Sequence, residues 1–378
     1  MKNVTNMKLL YPILLLFFFE ASFSQVVKLY TTINFQFVEG PVWNGKGALY
    51  FSDMNAKKVY KYVPGKGFSV IRSGQVTNGM TFDSSGNLLV CEQGPTNQVV
   101  QMDTTGVVKK ILVNKYNSKS FNNPNDLCVD QNGGIYFSDP TWGVQPQDKQ
   151  AVYYIKPTGE CIRINGDFIK PNGVCLSPDK KLLYVDDSND KNVSVFDVQP
   201  DGTAINKRVF CVLKVDPGKV SGADGMKIDT QGTLYIASAV GVQVFNKNGL
   251  AIKVISLPEI PTNVAFGGKD WKTIFFTAGT GLYSMQADVA GIPVYTSVSE
   301  LKTQELAVYP NPTKGILHID LNKFNSFKIF DITGKEVLSD VTRHSPRTVD
   351  MSSLQNGSYI LKAESGKHLF SVKVILQK

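Results

Sequence analysis

The sequence predicts an all-β chain in two parts: a six-bladed β-propeller, then a small C-terminal β-sandwich. Three observations lead there. One strand-and-turn pattern recurs six times between Glu39 and about Tyr295. β-Branched and aromatic residues fill the strands, while Gly, Asn, Asp and Pro fill the gaps. After the stretch QADVAG from Gln286 the repeat stops, and a polar linker leads to a second set of short alternating strands.

The first element is a leader. Lys2 and Lys8 precede an apolar run from Leu9 to Phe19, followed by small residues at Ser22 and Ser24. This reads as a signal peptide over 1–24, cleaved after Ser24. The run falls short of the about 20 apolar residues that span a bilayer, and no later stretch approaches that length. The mature chain is therefore expected to be exported, with no transmembrane segment.

Composition excludes several chemistries. The net charge of +8 over 378 residues is scattered among polar turns, so no nucleic-acid partner is expected. All three histidines (His318, His344, His368) lie in the tail. A Ser-His-Asp triad, a Cys-His pair or a His-ligated zinc is thereby ruled out for the body of the chain. The cysteines, Cys91, Cys128, Cys161, Cys175 and Cys211, are odd in number and form no CxxC pair. They read as small buried apolar residues, with one disulfide possible among them.

The propeller is expected over 25–297. Each unit opens with a polar residue and a small apolar strand: Glu39 (EGPVW), Asn78 (NGMTF), Asn125 (NDLCV), Asn172 (NGVCL), Asp224 (DGMKI) and Thr262 (TNVAF). A turn and a second strand follow each time: 48–52, 88–91, 135–138, 182–185, 234–237 and 274–277. Third and fourth strands complete units of roughly 40–50 residues, the length of a propeller blade. The sixth unit lacks an outer strand of its own. Val27 to Ile33 from the N-terminus is the favoured donor, and Pro293 to Thr296 is the alternative. A β-sandwich or open repeat array is the competing architecture.

In a propeller the first strands line the central channel, so Glu39, Asn78, Asn125, Asn172, Asp224 and Thr262 would converge at one mouth. Two carboxylates and three amides form a hard-oxygen donor set with two negative charges. Ca2+ suits such a set best. The competing reading is that Asn or Asp before Gly merely caps a turn.

The segments EGPVW from Glu39, LYFSD ending at Asp53, NPND from Asn123, YFSDP from Tyr136, PNG from Pro171 and ADGM from Ala223 resemble the gluconolactonase family, which includes regucalcin. The resemblance covers about residues 35–285, in the family's order. It implies a six-bladed propeller with Ca2+ or another divalent cation (Zn2+, Mn2+ or Mg2+) in the channel. The implied ligands are Glu39, Asn125, Asn172 and Asp224, with Asn78 and Thr262 outside that set or facing substrate. The chain departs from many relatives at Gln93 and at Thr141-Trp142. Asn123 stands where regucalcin-like members carry a substrate-contacting arginine.

The implied activity is hydrolysis of a small-molecule lactone or sugar-acid ester. Asp224 is the expected general base, with Glu39 or Asp126 as substitutes. Asn123, Asn78, Trp142 and Asp126 are expected on the substrate side. A non-catalytic sugar- or peptide-binding propeller with a structural ion, and a hydrolase of other esters or phosphotriesters, remain the alternatives.

The linker covers 298–304 and the sandwich 305–378, with strands expected at 316–321, 327–330, 335–338, 358–363 and 369–375. The YPNP motif from Tyr309, the hairpin around Asp331 to Lys335 and the Lys-rich last strand resemble the C-terminal sorting domain of type IX secretion. That resemblance implies the secretion machinery as a partner and a secreted or cell-surface location. A carbohydrate-binding or adhesion sandwich is the alternative, and the three histidines are expected to lie at the surface rather than act as ligands.

Overall fold

A computed structural model describes residues 25–29, 32–293, 307–320, 326–340, 348–365 and 368–378. The expected signal peptide 1–24, the linker 298–304, residues 294–296 of the alternative closing strand, and His344 lie outside the described residues. The chain is all-β and divides into two compact units, Met1–Val294 and Tyr295–Lys378. Among the described residues no helix is long and apolar enough to cross a membrane.

The first unit holds six four-stranded antiparallel sheets, here numbered I to VI in chain order. Their inner strands are Val38–Trp43, Thr77–Phe82, Leu127–Val129, Pro171–Leu176, Met226–Ile228 and Pro261–Gly267. Each inner strand lies beside that of the next sheet, and the sixth lies beside the first. In sheets I to V four consecutive strands pair in order. In sheet VI the outer place is taken by Val27–Lys28, which pairs with Gly281–Gln286 through Val27↔Ser284 and Lys28↔Tyr283. The pairing is shorter than the stretch from Val27 to Ile33 read from the sequence.

Large apolar side chains fill the space between neighbouring sheets. Tyr136 and Tyr154 of sheet III, for example, pack with Val174, Leu176, Val185 and Phe196 of sheet IV. Burial of each such side chain contributes about 1.5–3 kcal/mol. The inner strands are buried almost throughout, so a polar residue there needs a partner or a function.

One end of the inner-strand ring is closed. After sheet VI the chain turns back: Thr230 N donates to Ala290 O at 2.9 Å, and Gly291 N donates to Trp271 O at 2.9 Å. Ile292 then sits between two small cavities of about 70 and 30 Å3. Their walls carry Val42, Thr81, Val129, Leu176, Ile228 and Phe266, one residue from each inner strand.

The second unit has a three-stranded sheet (Ala307–Tyr309, Ile316–Asp320, Thr348–Asp350) and a four-stranded sheet (Glu336–Asp340, Ser326–Phe330, Gly357–Ser365, His368–Leu376). Leu317, Ile319 and Val349 of the first share one core with Phe327, Ile329, Leu361 and Val374 of the second. The strands at Ala307 and Thr348 were not read from the sequence. His318 is half-buried with its ring stacked on Tyr309, centroids 5.4 Å apart.

All five cysteines are free and buried or partly buried, as small apolar residues would be, and the one disulfide left open by the sequence is not formed. Each occupies its own place in or beside an apolar layer, in three different sheets.

Candidate active site

The six polar residues that open the inner strands sit at the end of the ring opposite Ile292. Glu39, Asn78, Asn125, Asn172 and Thr262 are buried, and Asp224 keeps partial exposure. In sheets I, II, IV and VI the ladder slips at or just after this residue. A bulge of this kind re-aims side chains. It lets a ring residue and its successor both engage the neighbouring sheet.

Hydrogen bonds between sheets hold the ring in register. Ser52 Oγ donates to Asn78 O at 2.8 Å, and Ser138 Oγ donates to Asn172 O. Gly79 N donates to Asn125 O at 2.8 Å, and Gly225 N to Thr262 O at 2.7 Å. Ser188 Oγ donates to Ala223 O at 2.8 Å. Thr262 Oγ1 donates to Val38 O at 2.7 Å, sealing the last sheet to the first.

The residue after each ring position is Gly40, Gly79, Asp126, Gly173, Gly225 and Asn263. Only Gly40 of the four glycines has a left-handed backbone (φ +54°). The other three are glycine for space. A Cβ on Gly79 would lie 2.7 Å from Asp126 Oδ1, and one on Gly225 would lie 1.8 Å from Asn263 Cγ. The glycine of one sheet thus admits the side chain of the next. The turn-capping alternative fails at these positions.

The chemistry concentrates on Glu39 and Asp224. Their carboxyl groups act on each other, and the charge of Glu39 disfavours that of Asp224. Burial pushes Glu39 up to about 7, against hydrogen bonds from Gly40 N and Asn263 Nδ2, the latter at 3.0 Å. Burial, and then the charge of Glu39, hold the Asp224 carboxyl well above the usual carboxylate range; Asn172 hydrogen bonds to it. Asn172 Nδ2 also donates to Ser188 Oγ at 3.0 Å, leaving Asn172 Oδ1 buried with no hydrogen-bond partner. Asn78 Oδ1 is buried and unpartnered too.

Among the described residues, no Lys, Arg or His forms an ion pair with Glu39 or Asp224. Nor do three or more His, Cys, Asp or Glu side chains group there as a metal site. The donors are instead two carboxylates and amide oxygens, a mixed hard set that fits a divalent cation. Two like charges without a counter-charge, beside unpartnered amide oxygens, are what such an ion would satisfy.

The remaining sequence candidates fall in two places. Asp126 lies inside the ring, buried, with Oδ2 3.8 Å from Lys227 Nζ. Asn123 and Trp142 lie further out. Asn123 N donates to Asp139 Oδ1 at 2.8 Å, and Asn123 Oδ1 accepts from Trp142 N at 3.2 Å. Trp142 is 54% exposed, with Lys170 Nζ 4.2 Å from its ring centroid.

Sequence reasoning missed Asn263, Asp186 and Lys227. Asn263 holds Glu39, and its one signal was standing in a row otherwise made of glycine and Asp126. Asp186 is fully buried beside Gly173; its Oδ1 accepts from Gly173 N at 2.9 Å, and its Oδ2 has no hydrogen-bond partner.

Known proteins share this architecture. A gluconolactonase of Zymomonas mobilis is 31% identical over 288 residues, 68% of this chain and 80% of that protein. The solved structure of a gluconolactonase from Xanthomonas campestris superposes with a TM-score of 0.63 at 27% identity, covering 70% of this chain and 89% of the other. The calcium-binding protein regucalcin from Agrobacterium tumefaciens, at 17% identity and a TM-score of 0.61, shares the β-propeller fold, covering 69% of this chain and 93% of its own. The pattern of the secretion system C-terminal sorting domain matches residues 307–377. The pattern of the SMP-30/gluconolactonase/LRE-like region matches residues 37–280, and the chain belongs to that family.

Proposed function

We propose that the chain is a secreted, metal-dependent lactone hydrolase of the gluconolactonase type. The observation that carries this reading is the Glu39–Asp224 carboxyl pair with Asn172 beside it, a buried acid, a partly buried one and an unpartnered amide oxygen suited to a cation. The six sheets are the blades of a six-bladed propeller over 25–297. Residues 305–378 form a β-sandwich sorting domain that hands the protein to the type IX secretion machinery, after removal of a signal peptide over 1–24.

Glu39, Asn172 and Asp224, with Asn125, would hold the divalent ion, either Ca2+ or Zn2+, Mn2+ or Mg2+. Such an ion, when bound, polarises a carbonyl oxygen and acidifies a bound water. The chain's own groups do the rest. Asp224, the ring residue with access to solvent, accepts the proton of the water that attacks the lactone carbonyl, and returns it to the departing ring oxygen. Asn263 Nδ2 and Gly40 N fix Glu39 so that it remains a charged partner rather than a competing base. Asn78 offers its free Oδ1 to a substrate hydroxyl. Asn123 and Trp142 form the rim over which the sugar ring enters. The relatives named gluconolactonase, lactonohydrolase and lactonase make a sugar lactone the first substrate to try.

The test is hydrolysis of glucono-δ-lactone by the purified chain. Turnover that chelator abolishes, that Ca2+ or another divalent ion restores, and that Asp224→Ala lacks while folded, is the expected result. Absence of turnover with any lactone by a protein that binds the ion would overturn the reading.

A further inference from the structure

We propose that Lys227 is a built-in counter-charge that sets how tightly the channel holds its divalent cation. The inference rests on the ion-binding reading above. Lys227 is the third residue after a ring position. In the six sheets that row reads Val42, Thr81, Cys128, Cys175, Lys227 and Ala265. Five members are small or apolar, as the narrow interior of the ring demands. A lysine there places an ammonium where no packing argument calls for one.

Its surroundings give it a role. The side chain is 21% exposed, and its Nζ donates to Met226 O at 3.0 Å and stands 3.8 Å from Asp126 Oδ2. Ile228 and Ile292 line the cavities beside it, so the ammonium lies between the apolar plug and the acidic end of the channel. Four carboxyl groups act on one another through their charges at that end, without gathering into one cluster. Glu39 interacts with Asp224 and with Asp126, and Asp186 interacts with Asp224 and with Asp126. Asp126 Oδ2 and Asp186 Oδ2 are both buried without a hydrogen-bond partner, and the charge of Lys227 acts on both groups.

The four therefore fall into two halves. Glu39 and Asp224 have no cation and are the ion's ligands. Asp126 is served by Lys227, 3.8 Å away, and Asp186 stands beside Asp126 in its field. In a medium screened less than water, a fixed positive charge this close lowers the affinity of a neighbouring cation site, and a fixed negative charge raises it. Lys227 keeps the second half from adding its full charge to the first. The ion can then bind firmly while the ring keeps a single strongly cationic centre.

The test is calorimetric titration of Ca2+ into the chelator-stripped full chain at pH 8.5. We expect Lys227→Met to bind about tenfold more tightly than wild type, and Asp126→Asn about tenfold more weakly. Lys227→Arg, which keeps the charge, should match wild type. The Asp126→Asn/Lys227→Met double variant, which restores the net charge, should return close to it. Equal affinities for wild type, Lys227→Met and Asp126→Asn would overturn the proposal and leave the ion-binding reading intact. Weaker binding by Lys227→Met would overturn it as well. If Lys227→Met alone does not fold, the comparison of Asp126→Asn with the double variant decides: tighter binding by the double supports the proposal, and equal binding refutes it. If neither wild type nor Lys227→Met binds any Ca2+, both readings fall together.

Discussion

The buried carboxyl pair predicts an unusual pH dependence for the ion-free protein. Glu39 titrates near 4.5 in the unfolded chain and near 7 in the fold, because burial disfavours its charged form. Between those values the native state binds a proton that the unfolded chain has released. Stability therefore falls as pH rises through the window from about 4.5 to about 7. By pH 8 the cost from Glu39 alone is about 3 kcal/mol. For a unit of this size that corresponds to roughly 6–12 °C in Tm. Glu39→Gln removes the charge but keeps an amide oxygen to accept from Asn263. The assay is thermal unfolding by circular dichroism in excess chelator at pH 5, 6, 7 and 8. Wild type should lose Tm as pH rises, while Glu39→Gln should lose much less and be the more stable of the two at pH 8. Added Ca2+ should rescue wild type at pH 8 and leave Glu39→Gln nearly unmoved. A wild-type Tm that is flat or rising from pH 5 to 8 in chelator would refute the argument, as would an unchanged slope in Glu39→Gln.

Two further substitutions probe the supporting structure. Gly225→Ala drives a methyl into the Asn263 amide that holds Glu39, so it should cost about 3 kcal/mol in denaturant unfolding through overpacking and a disturbed buried hydrogen bond. The same change at the open turn glycine Gly86, whose backbone is left-handed (φ +80°) where that of Gly225 is not, meets no neighbouring atom and so reads backbone strain without clash, for comparison with the clash at Gly225. Trp142→Ala, at an exposed rim position, should raise KM several-fold while leaving kcat within about twofold and stability within about 0.5 kcal/mol.

Much of this arrangement was legible in the residues. The six sheets could be read because each inner strand is a short apolar run with a polar leader, and the spacing repeats. The Glu39 and Asp224 pair was legible for the same reason: a carboxylate at the head of a buried strand has no ordinary structural excuse. What the sequence hid depends on register between distant segments. Asn263 reaches Glu39 across 224 positions, and only the closing of sheet VI onto sheet I brings them together. Why Gly79, Gly173 and Gly225 follow their ring residues could not be read either; they are glycine because a neighbour's side chain or backbone occupies the space of their Cβ. Lys227 carried no signal as one lysine among many; it gains meaning only when the third residues of all six inner strands are compared. Cysteine pairing is left open by the sequence because cysteine count says nothing of distance or geometry; all five thiols are free.

The central claim is that turnover depends on a cation held by Glu39, Asn172 and Asp224. It is tested most directly by adding Ca2+ stepwise to the stripped enzyme while measuring bound ion and glucono-δ-lactone hydrolysis on the same sample. The account predicts that rate rises in proportion to occupancy and saturates as the site fills, and that Asp224→Asn shows neither high-affinity binding nor turnover. Full activity in the stripped enzyme, or a site that fills without any gain in rate, would contradict it.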